Sequence, residues 1–96
     1  MNDKIKHLQE ETRGSFIYLL NDQKLAEMAY TMVGQHRMII DHTDVDNSLR
    51  GQGIGKQMLG ALVDYVRTTG IQVIPLCPFA KATFKKILDW QDVLMD

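Results

Sequence analysis

Cysteine is almost absent from this sequence: Cys77 is the only one among 96 residues. One thiol cannot form an intrachain disulfide, so a disulfide-stabilised scaffold is excluded and a reducing compartment, the cytoplasm, is expected. Long apolar runs are also absent, and none approaches the roughly 20 residues of a membrane-spanning helix. The segment Met1–Lys4 is polar and lacks the apolar centre of a signal peptide. These absences predict a cytoplasmic chain without membrane contact.

An excess of positive charge is missing as well. Eleven Lys and Arg residues stand against twelve Asp and Glu residues, for a net charge of −1. Proteins that hold nucleic acid through its phosphates usually show a clear basic excess, so no nucleic-acid partner is expected. Three histidines and one cysteine at scattered spacing do not make a zinc site, so no metal is expected. The length and ordinary composition predict one domain over residues 1–96, as a monomer or weak dimer.

The first half of the chain has the pattern of three strands. Three segments are apolar or alternate between apolar and polar side chains, at residues 15–20, 24–33 and 37–43. In the third segment, Met38, Ile40 and His42 are expected to share one face. Asn21-Asp22 and Gly34-Gln35 supply turn chemistry between the strands. The pattern predicts an antiparallel meander.

A helical period replaces the alternation in the second half. A helix, a strand, a second helix and a short cap are predicted at residues 53–69, at 71–76, from 78 onward and at 89–96. Gly70 stands where a helix C-terminal glycine belongs, and Pro78 suits the first turn of a helix. Pro75 cannot donate a ladder hydrogen bond, so its strand must lack a partner there. The predicted class is α/β (α+β), with a strand meander, one βαβ crossover and a C-terminal helix.

The most informative segment is the glycine-rich loop at residues 50–56, Arg-Gly-Gln-Gly-Ile-Gly-Lys. It lies between a strand and a helix, where glycines let several backbone N–H groups point the same way beside the positive end of the helix dipole. Such a loop suits an anion, although a flexible turn also uses glycines. A nucleotide P-loop is excluded because Gln57 follows Gly55-Lys56, and the dinucleotide fingerprint is excluded because its third glycine is missing.

Arg50, Gly53 and Gly55 form an Arg-x-x-Gly-x-Gly pattern that resembles the acyl-CoA-binding motif of the GNAT superfamily of N-acetyltransferases. With Asp41-His42-Thr43 and Cys77-Pro78-Phe79, the chain resembles a small subfamily of stand-alone GNAT-type domains. The resemblance implies a truncated GNAT-like fold in which the strands before the loop and after the helix splay apart. It implies acetyl-CoA (coenzyme A) as the acyl donor, bound by Asp44, Val45, Arg50, Gly51, Gln52, Gly53, Ile54, Gly55, Lys56, Pro78 and Phe79.

Cys77 and His42 are the catalytic candidates. Cys77 precedes the second helix, whose dipole favours a thiolate, although most free cysteines are small buried hydrophobes. His42 is a candidate general base because histidine is the residue type that titrates nearest neutral pH, although a histidine on an apolar strand face is more often a core residue. Asp44 shares its face and either orients His42 or solvates the strand end. Many superfamily members use a tyrosine on the second helix as general acid, whereas this helix carries Phe84 and no tyrosine.

Two mechanisms stay open at this point. The amine attacks the thioester directly, or Cys77 attacks first and carries the acetyl group; Cys77 could equally protonate the departing CoA. Backbone N–H groups near Asp44-Val45 are expected to polarise the thioester carbonyl. Four lysines are candidate cations around the cofactor: Lys56, Lys81, Lys85 and Lys86. His7 and His36 are expected on the surface.

The acceptor, a protein lysine or a small amine, is expected to meet a shallow and open surface. The predicted enzyme is an acetyl-CoA-dependent N-acetyltransferase. The alternatives are a CoA-binding or interaction module with little or no catalysis, and a small structural domain whose glycines serve only the turn.

Overall fold

A five-stranded sheet carries two helices in the structure, a computed structural model that describes residues 3–95. The elements are β1 (Ile5–Glu10), β2 (Arg13–Leu20), β3 (Gln23–Val33), β4 (Arg37–Val45), α1 (Ile54–Thr69), β5 (Gln72–Pro75) and α2 (Pro78–Lys86). Two 3₁₀ turns, Asn47–Leu49 and Leu88–Val93, precede α1 and follow α2. The strands lie in the order β1-β2-β3-β4-β5, antiparallel up to β4 and parallel between β4 and β5. The predicted α/β (α+β) class is confirmed.

The edge strand β1 has no counterpart in the predicted meander. It pairs with β2 over its whole length, from Ile5 opposite Tyr18 to Glu10 opposite Arg13. Only Ile5 and His7 among its six residues are partly buried. Since an edge strand can leave most of its side chains in water, β1 lacks the alternation by which a strand is recognised in a sequence.

One face of the sheet holds the hydrophobic core. α1 lies between Gly53 and Gly70, whose φ angles of 71° and 73° are left-handed, and it turns its apolar stripe toward this face. α2 adds Ala80 and Phe84 to the same cluster. The fully buried large side chains are Met28, Met38, Ile40, Met58, Leu59, Leu62, Val63, Val66, Val73 and Phe84. Both helices bury their apolar residues on one side, so neither helix covers the opposite face, called the outer face below.

A β-bulge in β4 changes which residues share a face. Ala29 lies opposite His42, whereas Tyr30 lies opposite Ile40, so Asp41 is an extra residue without its own partner on β3. An extra residue reverses the alternation of side chains beyond it. The prediction that His42 shares a face with Met38 and Ile40 is therefore wrong. His42 lies on the outer face, and Thr43 takes the place predicted for it on the core face.

The parallel ladder between β4 and β5 ends early. Pairing runs from Arg37 opposite Gln72 to Ile40 opposite Pro75, and the Ile40 carbonyl then accepts hydrogen bonds from both Leu76 and Cys77 N–H, at 3.2 and 3.1 Å. β4 continues to Val45, whereas the segment that follows β5 turns away into α2. The splayed strands that the sequence predicted are present. Since Leu76 N–H faces β4, the missing N–H of Pro75 faces the other edge of β5, not the gap.

The C-terminal segment forms a cap, as predicted. Arg67 Nη2 lies 2.6 Å from Asp92 Oδ1, and it also donates to the Asp89 carbonyl. The indole of Trp90 lies over α1, 3.4 Å from where a Cβ on Gly60 would stand. Met95 N–H donates to the Val73 carbonyl at 3.0 Å, so the chain end covers part of the free edge of β5. Met1 and Asn2, in the polar segment at the start of the sequence, and Asp96, in the predicted cap, lie outside the described residues. None of the helices within residues 3–95 has the length and apolarity to cross a membrane.

His7 is not the surface residue that the sequence predicted. Its ring is stacked on Phe16 with centroids 4.1 Å apart, and its edge meets Tyr65 at 4.4 Å. Its Nε2 lies 2.6 Å from Tyr30 Oη, and burial lowers the pKa of the imidazole below its ordinary value of 6.5. The residues around His7 in the sequence are mostly polar and give no sign of burial. The aromatic partners of His7 come from β2, β3 and α1. His36, by contrast, is exposed as predicted.

The lowered pKa of His7 makes stability depend on pH in a defined direction. The unfolded chain takes up the proton at about pH 6.5, before the folded chain does, so stability falls as the pH drops below that value and levels off below the folded pKa. His7→Phe keeps the stacked ring and removes the titration. We expect its thermal midpoint to depend less on pH than that of the wild type between pH 7.5 and 5. His36→Gln, the matched control, should follow the wild type. Parallel curves for wild type and His7→Phe would contradict the assignment.

Candidate functional site

The glycine-rich loop is anchored at its start by a capped turn. Asp46 Oδ2 accepts a hydrogen bond from Ser48 N–H at 2.9 Å, and the hydrogen bonds from Ser48 hold the pKa of the Asp46 carboxyl below its ordinary value. Leu49 is buried and fixes the end of the turn to the core. The chain then passes through Gly51 and Gly53, with φ angles of 81° and 71°, where an L side chain is strained. The loop therefore has a defined path into α1.

Several amides at this junction have no acceptor in the described residues. Arg50 and Gln52 N–H donate to the carbonyls of Asn47 and Leu49. The amides of Gly51 and of residues 53–56 have no such bond, and α1 has no side-chain cap. Free N–H groups and the positive end of the helix dipole make this terminus suited to an anion.

A cleft of about 430 Å³ opens in front of these amides. It brings together eight of the residues predicted for the cofactor: Val45, Arg50, Gly51, Gly53, Ile54, Gly55, Lys56 and Phe79. Asp44, Gln52 and Pro78 do not line it. Among the candidate lysines, Lys56 and Lys86 line it and Lys81 and Lys85 do not. Its lining contains three cationic side chains and no carboxylate, so its potential favours a polyanion.

Gly55 has a steric role that the sequence could not separate from ligand binding. It lies in the first turn of α1 beneath the ring of Phe79, at the start of α2. A Cβ on Gly55 would stand 2.6 Å from Phe79 Cζ, well inside contact distance. Gly55 therefore lets the two helix N-termini approach each other, and Phe79 forms one wall of the cleft.

The gap between β4 and α2 exposes backbone N–H groups of β4. Asp46 N–H donates to the Leu25 carbonyl at 2.7 Å, so the strand alternation turns the N–H groups of Val45 and Thr43 away from β3. They point into the space where β5 no longer pairs with β4. Of the two residues predicted to polarise a carbonyl, Val45 is placed to do so and Asp44 is not.

Cys77 lies on the inner wall of this gap. It is 3% exposed, and its Sγ is 3.2 Å from Thr43 Oγ1. It precedes α2 at the N-cap position, but its side chain makes no capping hydrogen bond. Sequence reasoning missed Thr43, because the bulge at Asp41 that turns it inward has no local sequence signal.

His42 and Cys77 are not brought together. The His42 side chain is 56% exposed on the outer face, with Nε2 3.9 Å from Asp44 Oδ2. Since Thr43 faces inward next to Cys77, the two candidates lie on opposite sides of β4. Each could act on a group held in the gap, but they do not form a catalytic pair. No group of three potential metal ligands is found within residues 3–95.

Comparison with known proteins points to one family. The profile of the GCN5-related N-acetyltransferases matches residues 15–93. A Staphylococcus aureus protein of known solution structure, described as GCN5-like, is 34% identical, with a TM-score of 0.73 over 98% of this chain and 91% of the other. No match to a curated protein is found.

Two larger enzymes share the fold at lower identity. The ribosomal-protein-alanine N-acetyltransferase of Brucella melitensis is 15% identical, with a TM-score of 0.69, and 81% of this chain covers 62% of that enzyme. The corresponding Escherichia coli enzyme is 20% identical, with a TM-score of 0.67, and 81% of this chain covers 53% of it. At these identities the likeness concerns the fold alone.

The Gly55–Phe79 contact yields a test of the cleft's architecture. Gly55→Ala should destabilise the fold by about 1–3 kcal/mol, the usual cost of overpacking. Phe79→Ala removes the ring, so in the double variant the added methyl group should cost much less. Chemical denaturation of the four proteins of this double-mutant cycle measures the coupling. Additive losses would contradict the close approach.

Proposed function

The chain belongs to the GCN5-related N-acetyltransferase family and is an acyltransferase, and we propose that it moves an acetyl group from acetyl-CoA to an amine. The observation that carries the proposal is the set of free amides of Gly51 and residues 53–56, in a cleft whose charged side chains are all cations, beside the gap between β4 and α2. The resident groups match the chemistry of a pyrophosphate joined to a long neutral arm. A domain whose glycines served only the turn would need neither the free amides nor the cations of the cleft.

The residues fit coenzyme A in three respects. The amides of Gly51 and residues 53–56 suit the pyrophosphate, and Cβ positions on Gly51 and Gly53 would meet nothing within 4 Å, so the cradle is open. Arg50, Lys56 and Lys86 would offset the phosphate charges. Phe79, 40% exposed, offers an apolar wall to the arm.

Bound acetyl-CoA supplies an activated acyl group. The N–H groups of Val45 and Thr43 point into the gap and would stabilise negative charge on the carbonyl oxygen there, as an oxyanion hole does. Thr43 Oγ1 and Cys77 Sγ, 3.2 Å apart, form a hydrogen-bonded pair that can hold a proton on the inner wall. In the overall reaction a C–N bond forms, the thioester C–S bond breaks, and the amine proton ends on the CoA thiol or in solvent.

His42 is the proposed general base on the outer side of β4. It is exposed, and its Nε2 lies 3.9 Å from Asp44 Oδ2, so Asp44 can orient the ring. From this side it can accept a proton from an amine that approaches the gap across the open face of the sheet. The buried position of Cys77 favours direct attack by the amine over transfer through the thiol.

The rival function is a CoA-binding or interaction module. It is favoured by α2, which carries no tyrosine and buries Phe84 at 2% exposure, so no phenol stands ready as general acid. Binding of CoA without thiol release from acetyl-CoA in a panel of amines would support this module.

Two glycines form a matched pair for testing the cofactor loop. Gly53 and Gly34 have φ angles of 71° and 69°, and a Cβ on either would meet nothing within 4 Å. Alanine at each should cost a similar 1–2 kcal/mol or so for a left-handed residue. CoA at a hundredfold excess over its dissociation constant stabilises the wild type by about 2.7 kcal/mol, and ~1 kcal/mol moves the midpoint by ~4–8 °C.

Only Gly53→Ala should lose much of that shift. Misplacing one amide that bonds a phosphate costs about 1.5–3 kcal/mol, or roughly tenfold or more in affinity. Melting curves with and without CoA measure both effects. An equal CoA response in the two variants would remove the loop from the binding site.

The route of the acetyl group can be tested at Cys77. With radiolabelled acetyl-CoA and no acceptor, we expect no label on the protein, because the thiol is buried and hydrogen-bonded. Cys77→Ser keeps a hydrogen-bonding group beside Thr43 and should retain more activity than Cys77→Ala, whose folding is checked by its melting curve. Label that depends on Cys77 would establish the covalent route instead.

A further inference from the structure

The two edges of the sheet differ in how far they are protected from further pairing. β5 has only four residues and ends at Pro75, and Met95 N–H donates to the Val73 carbonyl, so the chain end covers part of that edge. β1, at the other edge, has six residues without proline or glycine and pairs with β2 without a bulge. No strand within residues 3–95 pairs on its other side. Since edge strands are usually blunted by proline, a bulge or a covering segment, β1 is an open edge.

One hydrogen bond shows which backbone groups of β1 point away from β2. Leu19 N–H donates to the Lys4 carbonyl at 2.8 Å, and the register of the ladder places these two residues directly opposite each other. Hydrogen-bonded and non-hydrogen-bonded pairs alternate along an antiparallel ladder. The N–H and carbonyl groups of Ile5, His7 and Gln9 therefore point out of the sheet, where an added strand can pair with them.

The outer-face side chains of β1 are complementary to their own copy. Ile5 and His7 are partly buried on the side of the helices, so Lys6, Leu8 and Glu10, which alternate with them, share the outer face. If a second β1 runs antiparallel with the two Leu8 residues opposite each other, Lys6 of each chain falls opposite Glu10 of the partner subunit. The backbone groups of these three residues point toward β2, so in the new ladder they form the non-hydrogen-bonded pairs, in which side chains lie closest.

We propose that two copies of this chain associate through β1, antiparallel and about a twofold axis at Leu8, to form one ten-stranded sheet. The association pairs the free backbone groups of the edge and adds two cross-strand ion pairs between Lys6 and Glu10. It also covers the side chain of Leu8, which is 51% exposed in the single chain. A lysine on an edge strand usually deters a neighbouring strand, but here each lysine meets a carboxylate of the partner subunit.

The side chains favour a second copy over an unrelated extended peptide. A strand with the same Lys-x-Leu-x-Glu order, run antiparallel, meets each charge with its opposite and places leucine against leucine. A parallel copy in register would place lysine beside lysine and carboxylate beside carboxylate. The gap between β4 and α2 lies toward the other edge of the sheet, so the dimer leaves it open. The inference therefore does not depend on the proposed function.

Sedimentation equilibrium of the full chain measures the association. A pair of short strands is a small interface, so we expect a reversible dimer with a dissociation constant between about 10 μM and about 1 mM. Lys6→Glu and Glu10→Lys should each weaken it by roughly tenfold or more, because both ion pairs become like-charge pairs. The double variant Lys6→Glu/Glu10→Lys reverses both pairs and should restore the dimer. Lys85→Glu, at an exposed position of α2, changes the net charge as Lys6→Glu does and is the matched control.

Disulfide trapping tests the register of the two strands. Leu8→Cys places two thiols at a non-hydrogen-bonded pair, where Cα atoms lie ~4.5 Å apart, within the range of a disulfide. Lys6→Cys lies on the same edge, but the two thiols are then about 14 Å apart, because they are offset by four residues. Mild oxidation should link Leu8→Cys chains much faster than Lys6→Cys chains, and a mixture of Lys6→Cys and Glu10→Cys chains should link as well. The wild type, whose Cys77 is buried, should stay unlinked.

Three results would overturn the proposal: a wild type that stays monomeric at millimolar concentration, a dimer that survives both single charge reversals, and thiols that link equally fast at residues 6 and 8. The CoA-induced rise of the melting midpoint should be the same in the wild type and in Lys6→Glu, because no residue of β1 lines the cleft. Absence of that rise in both proteins would overturn the proposed function and leave the dimer intact.

Discussion

The early end of the hydrogen-bond ladder between β4 and β5 is the constraint on which the site depends. After Ile40 and Pro75 the two strands separate. The Ile40 carbonyl accepts hydrogen bonds from both of the following N–H groups, those of Leu76 and Cys77. Had the ladder continued to Val45, the N–H groups on that edge of β4 would be paired and no space would remain for an acyl arm. The separation also sends the chain into α2, which places Phe79 over the first turn of α1. A short stretch of missing pairing thus creates the gap and one wall of the adjoining cleft.

A net charge near zero conceals two surfaces of opposite sign. The charged side chains that line the cleft at the start of α1 are all cations, whereas those that line the hollow beside His42 on the outer face are mainly carboxylates, Glu10, Glu27 and Asp41. The two surfaces converge on the gap beside β4, with Thr43 and Cys77 on the inner side and His42 on the outer side. An anionic ligand and a cationic ligand could therefore approach this gap from different sides without competing for the same charges. The bulge at Asp41 makes this division possible, because it turns neighbouring residues of β4 to the faces they occupy.

Features that depend on the local preferences of a few residues could be predicted from the sequence. Features that depend on the pairing of strands or on contacts distant in the sequence could not. The turns at Asn21-Asp22 and Gly34, the limits of α1 and the glycine-rich loop follow from residues whose conformational preferences are strong. Strand β1 was not predicted because its side chains are mostly polar. The burial of His7 was not predicted because its aromatic partners are distant in the sequence. The bulge at Asp41 depends on the register with β3, which no short segment encodes. Hence the prediction assigned His42 to the correct strand but to the wrong face of that strand.

The position of Trp90 has a spectroscopic consequence. It is the only tryptophan in the chain, and its ring lies over Gly60 in the middle of α1, within the C-terminal cap that Arg67 and Asp92 hold. Intrinsic indole fluorescence therefore reports detachment of that cap from the helix, and not events in the cleft at the start of α1, which is lined by other residues. Emission that shifts before the far-ultraviolet circular dichroism would reveal that the chain end opens ahead of the sheet.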